Sequence, residues 1–177
     1  PPGGYGAPPP PPAPGYGAGG HGQAAGVPAG PAGSYAPWEQ RAGAFVIDWV
    51  VQAVTYVVLF VLGSAIGGAF GGLLMFLGWL ASIAVWVWNI GVQQGTTGQS
   101  IGKGVLGISL VREQDRQVLG TGMSLVRSIV HVVDAIPCYV GFLWPLWDEK
   151  RQTFADKILS TVVVPSTKRA PTEALPF

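Results

Sequence analysis

Charged residues are scarce in this chain of 177 residues. Asp, Glu, Lys and Arg together make up only 11% of it, whereas 49% of the residues are hydrophobic. This composition is typical of an integral membrane protein and excludes an ordinary soluble domain of this size. The net charge is only +1, and the basic residues form no stripe, so the composition excludes nucleic acid as a partner and leaves the lipid bilayer.

Cysteine and catalytic motifs are also lacking. Cys138 is the only cysteine, which excludes an intrachain disulfide and a cysteine-rich metal site. The sequence contains no G-x-S-x-G, no H-E-x-x-H, no P-loop and no dinucleotide fingerprint. We therefore predict a protein without catalytic activity, cofactor or metal. The chain begins with Pro1 and has no short apolar core behind a basic segment. We expect a longer polypeptide, inserted by its first span rather than by a cleavable signal.

Residues 1–37 contain no charged side chain and hold most of the proline. Such a segment buries too little apolar surface to offset the entropy of ordering, about 1 to 2 kcal/mol per residue. We predict a disordered Pro/Gly-rich tail, with polyproline II structure at residues 8–12. The alternative is that this proline run docks on an aromatic-lined groove of a partner.

Residues 41–93 form the long hydrophobic stretch of the chain. A bilayer core of about 30 Å needs about 20 apolar residues per helix, and this stretch supplies two such lengths around a Gly-rich centre. We predict a transmembrane helical hairpin with spans at 42–66 and 73–92. The glycines at 67–72 indicate the turn, and Gly63 indicates close packing between the helices. The fold class is an all-α membrane protein, placed in the bacterial plasma membrane.

Each span carries a stripe of polar residues on an otherwise apolar surface. Arg41, Asp48 and Gln52 share one side of the first span, and Asn89 belongs to the stripe on the second. An ionisable group such as Asp48 costs about 2.5 to 3.5 kcal/mol at the centre of a span, so it should face protein or water. Helical geometry directs Arg41 away from Asp48, and we expect Arg127, His131 or a water to be the partner of this acid.

A third apolar segment at 124–147 is broken. Arg127, His131 and Asp134 follow the i, i+4, i+7 spacing of one helix face, and Pro137 removes a helical hydrogen bond just beyond them. The segment is either one kinked span or an interfacial helix followed by a short re-entrant piece.

Two β-branched runs lie outside the apolar segments. The first, within residues 105–120, predicts a small cytoplasmic β-hairpin, and the second, at 158–164, could pair with the first instead. Because basic residues flank the apolar runs on this side, we place the N-terminus, the loop at 93–122 and the C-terminal tail at 166–177 in the cytoplasm.

Taken together, these motifs resemble the RDD family of small bacterial membrane proteins. The resemblance rests on Arg41 and Asp48 in the first apolar helix, on TTGQSIGKGVLGISLV, on Arg127 and on DEKRQTFADKILSTVVV, and it covers about residues 37–165. It implies a membrane domain at 38–165 whose family aspartates are Asp48 and Asp156. The tail is similar to that of proline-rich actinobacterial members. Ala155 stands where many members have His, which weakens any proton relay built on that pair.

Two functions follow as expectations. The first is a non-catalytic accessory or scaffold subunit of a larger membrane complex, such as a respiratory assembly, with the proline-rich tail as a docking segment. The second is a small oligomeric cation or proton transporter, in which the three polar stripes form a path around Asp48. Against this path stands the interpretation that the same groups are structural interhelical contacts. Asp156 could cap the chain entering the sheet, pair with Lys103 or Arg127, or lie in solvent.

Overall fold

Two long apolar helices form an antiparallel hairpin. The computed structural model describes residues 34–168, so most of the predicted tails lie outside the described residues. Helix α1 is Trp38–Ile66 and α2 is Gly68–Trp86, which continues through a π-helix, Val87–Gln93, into α3, Gln94–Thr97. Within residues 34–168, α1 and the unbroken Gly68–Thr97 unit are the two helices long and apolar enough to cross a membrane. The predicted helical hairpin is confirmed.

The turn between α1 and α2 is tighter than predicted. Only Gly67 lies between the helices, and Gly68 begins α2; their φ angles of 69° and 59° are accessible to glycine at little cost. Gly71 already belongs to α2, and a Cβ placed on it would lie 2.3 Å from the carbonyl oxygen of Gly63. The packing role predicted for Gly63 is therefore confirmed, whereas the assignment of the whole of 67–72 to the turn is wrong.

The polar half of the chain contains two strands, but not the predicted hairpin. A short helix α4, Ile101–Leu106, precedes strand β1, Ile108–Arg112. This strand pairs antiparallel with β2, Thr161–Pro165. The hairpin prediction for 105–120 is wrong because the chain turns after β1 and its next residues form no strand. The pairing with 158–164 is confirmed.

Both faces and both edges of this small sheet are covered. Val111, Val162 and Val164 are buried on one face, and the residues on the other face contact the start of α1. The N–H of Ala36 donates to the carbonyl of Val163 at 2.9 Å, and the carbonyl of Gly98 accepts from β1 at 2.7 Å. The residues before α1 and after α3 are thus hydrogen-bonded to the same sheet, which lies at the open end of the hairpin.

The third apolar segment is bent rather than straight. It comprises α5, Thr121–Val130, and α6, Val132–Ala135, followed by α7, Val140–Leu143, and a 3₁₀ turn, Trp144–Leu146. The two limbs meet at 108°. At 1.5 Å per residue they are about 22 Å and about 10 Å long, so at this angle they do not cross a core of about 30 Å. The geometry favours the re-entrant alternative over a kinked span. A last helix α8, Phe154–Ile158, leads into β2.

Candidate functional site

Asp48 holds the N-terminus of α4. Its Oδ1 accepts hydrogen bonds from the Asn89 side chain and from the Gly102 N–H, both at 2.8 Å. Its Oδ2 accepts from the Ser100 hydroxyl at 2.6 Å. Asn89 in turn accepts from the N–H of Ile101 at 2.8 Å. A negative charge at a helix N-terminus meets N–H groups that have no partner within the helix.

The two side chains expected as partners of Asp48, Arg127 and His131, were wrong. Neither Arg127 nor His131 contacts it, and its donors come instead from the π-helix and from α4. In a π-helix each N–H bonds five residues back, which widens the helix locally. Asn89 and Gln93 both lie on the buried side of this segment. Asn89 can therefore reach the acid on α1.

Asp156 receives two guanidinium groups. Arg127 donates to its Oδ1 through Nε at 2.9 Å and Nη2 at 2.6 Å, and Arg41 donates to its Oδ2. The carboxyl is fully buried. Burial acts to raise its pKa, but the charges of Arg127 and Arg41 outweigh burial and hold the pKa of Asp156 well below its usual range. The predicted pairing with Arg127 is confirmed, whereas the solvated alternative is wrong.

The same carboxyl closes a capping box on α8. Thr153 accepts from the Asp156 N–H at 3.1 Å, and Asp156 accepts from the Thr153 N–H at 3.2 Å. Arg41 also donates to the carbonyl of Arg151. The start of α1, the middle of α5 and the loop before α8 therefore meet at one carboxylate. Arg41 does not pair with Asp48, in agreement with the sequence argument.

Asp134 is a second buried acid at the start of α8. Its Oδ1 accepts from the Phe154 N–H at 2.7 Å and from the Ala155 N–H at 3.3 Å. Its Oδ2 lies 2.6 Å from Nδ1 of His131. Gly141 allows this approach, because a Cβ there would lie 2.5 Å from Asp134. The acid thus fixes α8 against the bend of the third segment.

The three predicted polar stripes do not form one hydrogen-bonded path. The first two meet, since Asp48 bonds Asn89 and the Gln52 amide donates to the Ser82 carbonyl at 2.6 Å. The third stripe turns away towards α8 through His131 and its neighbours. Within residues 34–168 no cluster of three or more His, Cys, Asp or Glu side chains is placed to hold a metal ion.

A cleft of 590 Å³ lies between α1, the end of α2 and the third segment. Its walls are mainly apolar and aromatic, and charged groups of both signs line part of it. Lys103 is one of them, with Nζ donating to the Gln94 amide oxygen at 2.6 Å. Burial lowers the pKa of Lys103 to about 8, and the positive charges of Arg127 and Arg41 add to this effect while Asp48 opposes it.

Several residues of this site were missed from the sequence. Gln94 joins three elements, because it accepts from Lys103 and donates to the hydroxyl of Ser124 at 2.9 Å. Ser100 is the N-cap of α4 and accepts from the Lys103 N–H at 3.3 Å. The Thr153-x-x-Asp156 spacing was a readable capping signal. The long-range contacts of Gln94 carried no such local signal.

Two mycobacterial proteins are similar to this chain in sequence. The proline-rich antigen homolog of Mycobacterium tuberculosis is 42% identical over 156 residues, which are 76% of this chain and 65% of the relative. The proline-rich antigen of Mycobacterium leprae is 52% identical over 95 residues, which are 54% of this chain and 38% of the relative. The chain thus spans less than two thirds of the length of these curated relatives. No solved structure matches it significantly.

A family model gives the assignment. The model described as RDD family matches residues 35–160, which contain all the polar contacts of Asp48, Asp134 and Asp156 described above. Together with the proline-rich relatives, this match confirms the resemblance inferred from the motifs. The chain belongs to the RDD family.

Proposed function

We propose that this protein is a non-catalytic membrane subunit that packs against larger membrane proteins. The observation that carries the proposal is the apolar surface that its long helices leave uncovered. The most apolar stretch of α1 contains no buried residue. Large side chains such as Phe70, at 66% exposure, and Trp79, at 51%, project from α2. In a bilayer this surface meets lipid or another protein.

Trp79 favours a protein neighbour. It lies about 17 Å along α2 from the turn, well inside a core of about 30 Å. Tryptophan in membrane helices is concentrated at the water interfaces, where its indole N–H finds a partner. Within residues 34–168, the indole N–H of Trp79 makes no hydrogen bond, unlike that of Trp38, which donates to the Phe142 carbonyl at 2.8 Å. A partner subunit would supply the acceptor.

We also infer a topology, from the sheet at the open end of the hairpin. Ala36, β1 and β2 are hydrogen-bonded in one sheet, so the segments before α1, after α3 and after α8 lie on one side of the membrane. The bent third segment re-enters from that side without crossing. Basic residues are found at this end, whereas the turn at Gly67 has none nearby. By the positive-inside rule this side is the cytoplasm.

Purification in mild detergent tests the proposal. A tagged native chain should be recovered from the membrane fraction with a stoichiometric membrane partner. Trp79→Ala should reduce partner recovery several-fold. The matched control is Trp147→Ala, because Trp147 is equally exposed, at 56%, but lies outside the long helices. A native chain that elutes alone, or equal losses in both variants, would contradict the proposal.

Transport around Asp48 is the second candidate, favoured by the position of this acid on the wall of the cleft. Its difficulty is that Asp48 already accepts three hydrogen bonds. Beyond Gln52, Thr55 and Ser64 bond to carbonyls of their own helix, so the polar contacts described stop half-way along the hairpin. The test is proton or cation flux in proteoliposomes. Flux that is present with the native chain and absent with a folded Asp48→Asn variant would favour transport over the scaffold role.

A further inference from the structure

The cleft between α1, α2 and the third segment has a long apolar part. Its walls there are made by aliphatic and aromatic side chains from all three elements. They include Phe45, Trp49, Val51, Val85, Trp86 and Phe142. Phe45 and Trp49 are 69% and 62% exposed, so the cleft opens onto the apolar surface of α1. Its volume of 590 Å³ is in the range of sites that bury a small organic ligand.

In the part of the chain that the structure describes, the wall of the cleft carries three Arg or Lys side chains but only one carboxylate, that of Asp48. Arg41, Lys103 and Arg127 all line it. Lys103 Nζ contacts only the neutral Gln94 and Ser100 side chains, and no carboxylate of residues 34–168 lies within ion-pair distance of it. Arg127 uses Nε and Nη2 on Asp156, which leaves Nη1 without a hydrogen bond among the described residues.

The nearby acids are already engaged. Asp156 is fully buried behind the wall and shared by two guanidiniums. Asp48, the acid in the lining, accepts three hydrogen bonds from its own chain. Lys103 and Arg127 thus have donors that no carboxylate of the cleft accepts, and most of the remaining lining is apolar. A ligand that matches both carries a negative group attached to a long hydrocarbon chain.

We propose that the cleft binds an acidic phospholipid of the surrounding bilayer, with the anionic headgroup at Lys103 and Arg127 and one acyl chain in the apolar part of the cleft. The proposal rests on the membrane location argued above and not on the partner subunit. Lys103 and Arg127 supply charge-assisted hydrogen bonds to the phosphate. Trp49 and Phe45 flank the opening through which the acyl chain leaves the cleft.

Native mass spectrometry of the full chain in a neutral detergent tests this proposal. Phosphatidylglycerol should be retained about ten-fold better than phosphatidylcholine, which corresponds to about 1.4 kcal/mol. Lys103→Gln should abolish this preference, and Lys103→Arg should keep it. Lys157→Gln is the matched control, because Lys157 pairs with Asp148 at 2.5 Å outside the cleft. Equal retention of both lipids by the native chain would overturn the proposal, as would a preference unchanged in Lys103→Gln.

Filling the cleft provides an independent measurement. Val51→Trp should displace both lipids, whereas Val54→Trp should displace neither, because Val54 lies on the same helix, is 55% exposed and is outside the cleft. Circular dichroism identifies a variant that has not folded. If Val51→Trp does not fold, the comparison of Lys103→Gln with Lys103→Arg tests the proposal instead. If inorganic phosphate raises the melting temperature of the chain as much as phosphatidylglycerol does, a lipid ligand is refuted. A native chain that shows no lipid preference but still recovers its membrane partner would refute this inference and leave the proposed function standing.

Discussion

Replacing Asp156 by Asn should destabilise the protein strongly. The substitution keeps the size of the side chain and an oxygen that can accept from the Thr153 N–H, so the capping box is partly retained. It removes the charge that compensates Arg41 and Arg127, of which Arg127 is only 5% exposed. Breaking a buried ion pair by removing one partner costs about 3 to 5 kcal/mol. For a domain of this size, the melting temperature should fall by roughly 10 °C or more.

Thermal unfolding in mild detergent, followed by tryptophan fluorescence, measures this effect. Asp115→Asn is the control, since Asp115 pairs with Arg112 at 3.1 Å with both side chains about half exposed. Exposed pairs contribute about 0 to 1 kcal/mol, so this variant should melt close to the native chain. A melting temperature of Asp156→Asn equal to that of the control would refute the structural role given to this carboxylate.

A double-mutant cycle identifies the pairing. Arg127→Gln should cost more than Arg41→Gln, because Arg127 donates two hydrogen bonds to Asp156 and is the more buried of the two. In the Asp156→Asn background, Arg127→Gln should add little, since the residues in contact are coupled by about 0.5 to 3 kcal/mol. Additive losses would show that the two side chains act independently, contrary to the geometry.

The depressed pKa of Asp156 also sets a pH dependence. Because the folded-state pKa lies below the ordinary value of 3.8, the carboxylate contributes its full stabilisation above about pH 4. That contribution is lost as the pH falls towards and through the folded-state pKa. Acid unfolding of the native chain should therefore contain a component that Asp156→Asn lacks, measurable by comparing the two melting temperatures between pH 6 and pH 3.

Three further predictions concern other parts of the site. Gly71→Ala should destabilise the hairpin by about 1 to 3 kcal/mol, because its Cβ would meet the Gly63 carbonyl, whereas Gly72→Ala should be neutral or stabilising in thermal unfolding, since nothing lies within 4 Å. Stability should rise between pH 8 and pH 10.5, because Lys103 loses its proton in the folded state first; Lys103→Gln should abolish this rise, which is at most about 3 kcal/mol. Asp48→Asn should cost about 1 to 3 kcal/mol in the same melting assay, since a charged acceptor of three donors is lost.

The hairpin was predictable because its signal is local. Hydrophobic length and the glycines specify two helices and a turn without any knowledge of distant residues. The strand at 108–112 and its candidate partner at 158–164 were also visible, but alternation of side chains cannot decide between a hairpin and pairing with this second strand about 50 residues later. Burial of both faces of β1 depends on α1 and β2, and the local sequence does not encode these neighbours.

The carboxylates were recognised as important, but their partners required the fold. The side chains expected as partners of Asp48, Arg127 and His131, lie in an apolar segment, because only there does the sequence pattern define a helix face. Its actual donors include Ser100 and the N–H of Gly102, which follow the second helix in a polar loop. The π-helix that directs Asn89 towards Asp48 has no sequence signal that separates it from an ordinary helix.

Two of these acids, Asp48 and Asp134, each support a short helix. Isolated helices shorter than about 12 residues are marginal in water, and α4 and α8 have only six and five residues. Each begins at a carboxylate supplied by a distant apolar segment, Asp48 on α1 for α4 and Asp134 on α6 for α8. The helices that carry the chain into β1 and out to β2 therefore depend on the apolar elements for hydrogen-bond acceptors at their N-termini. Loss of either acid should disorder the sheet before it disturbs the hairpin.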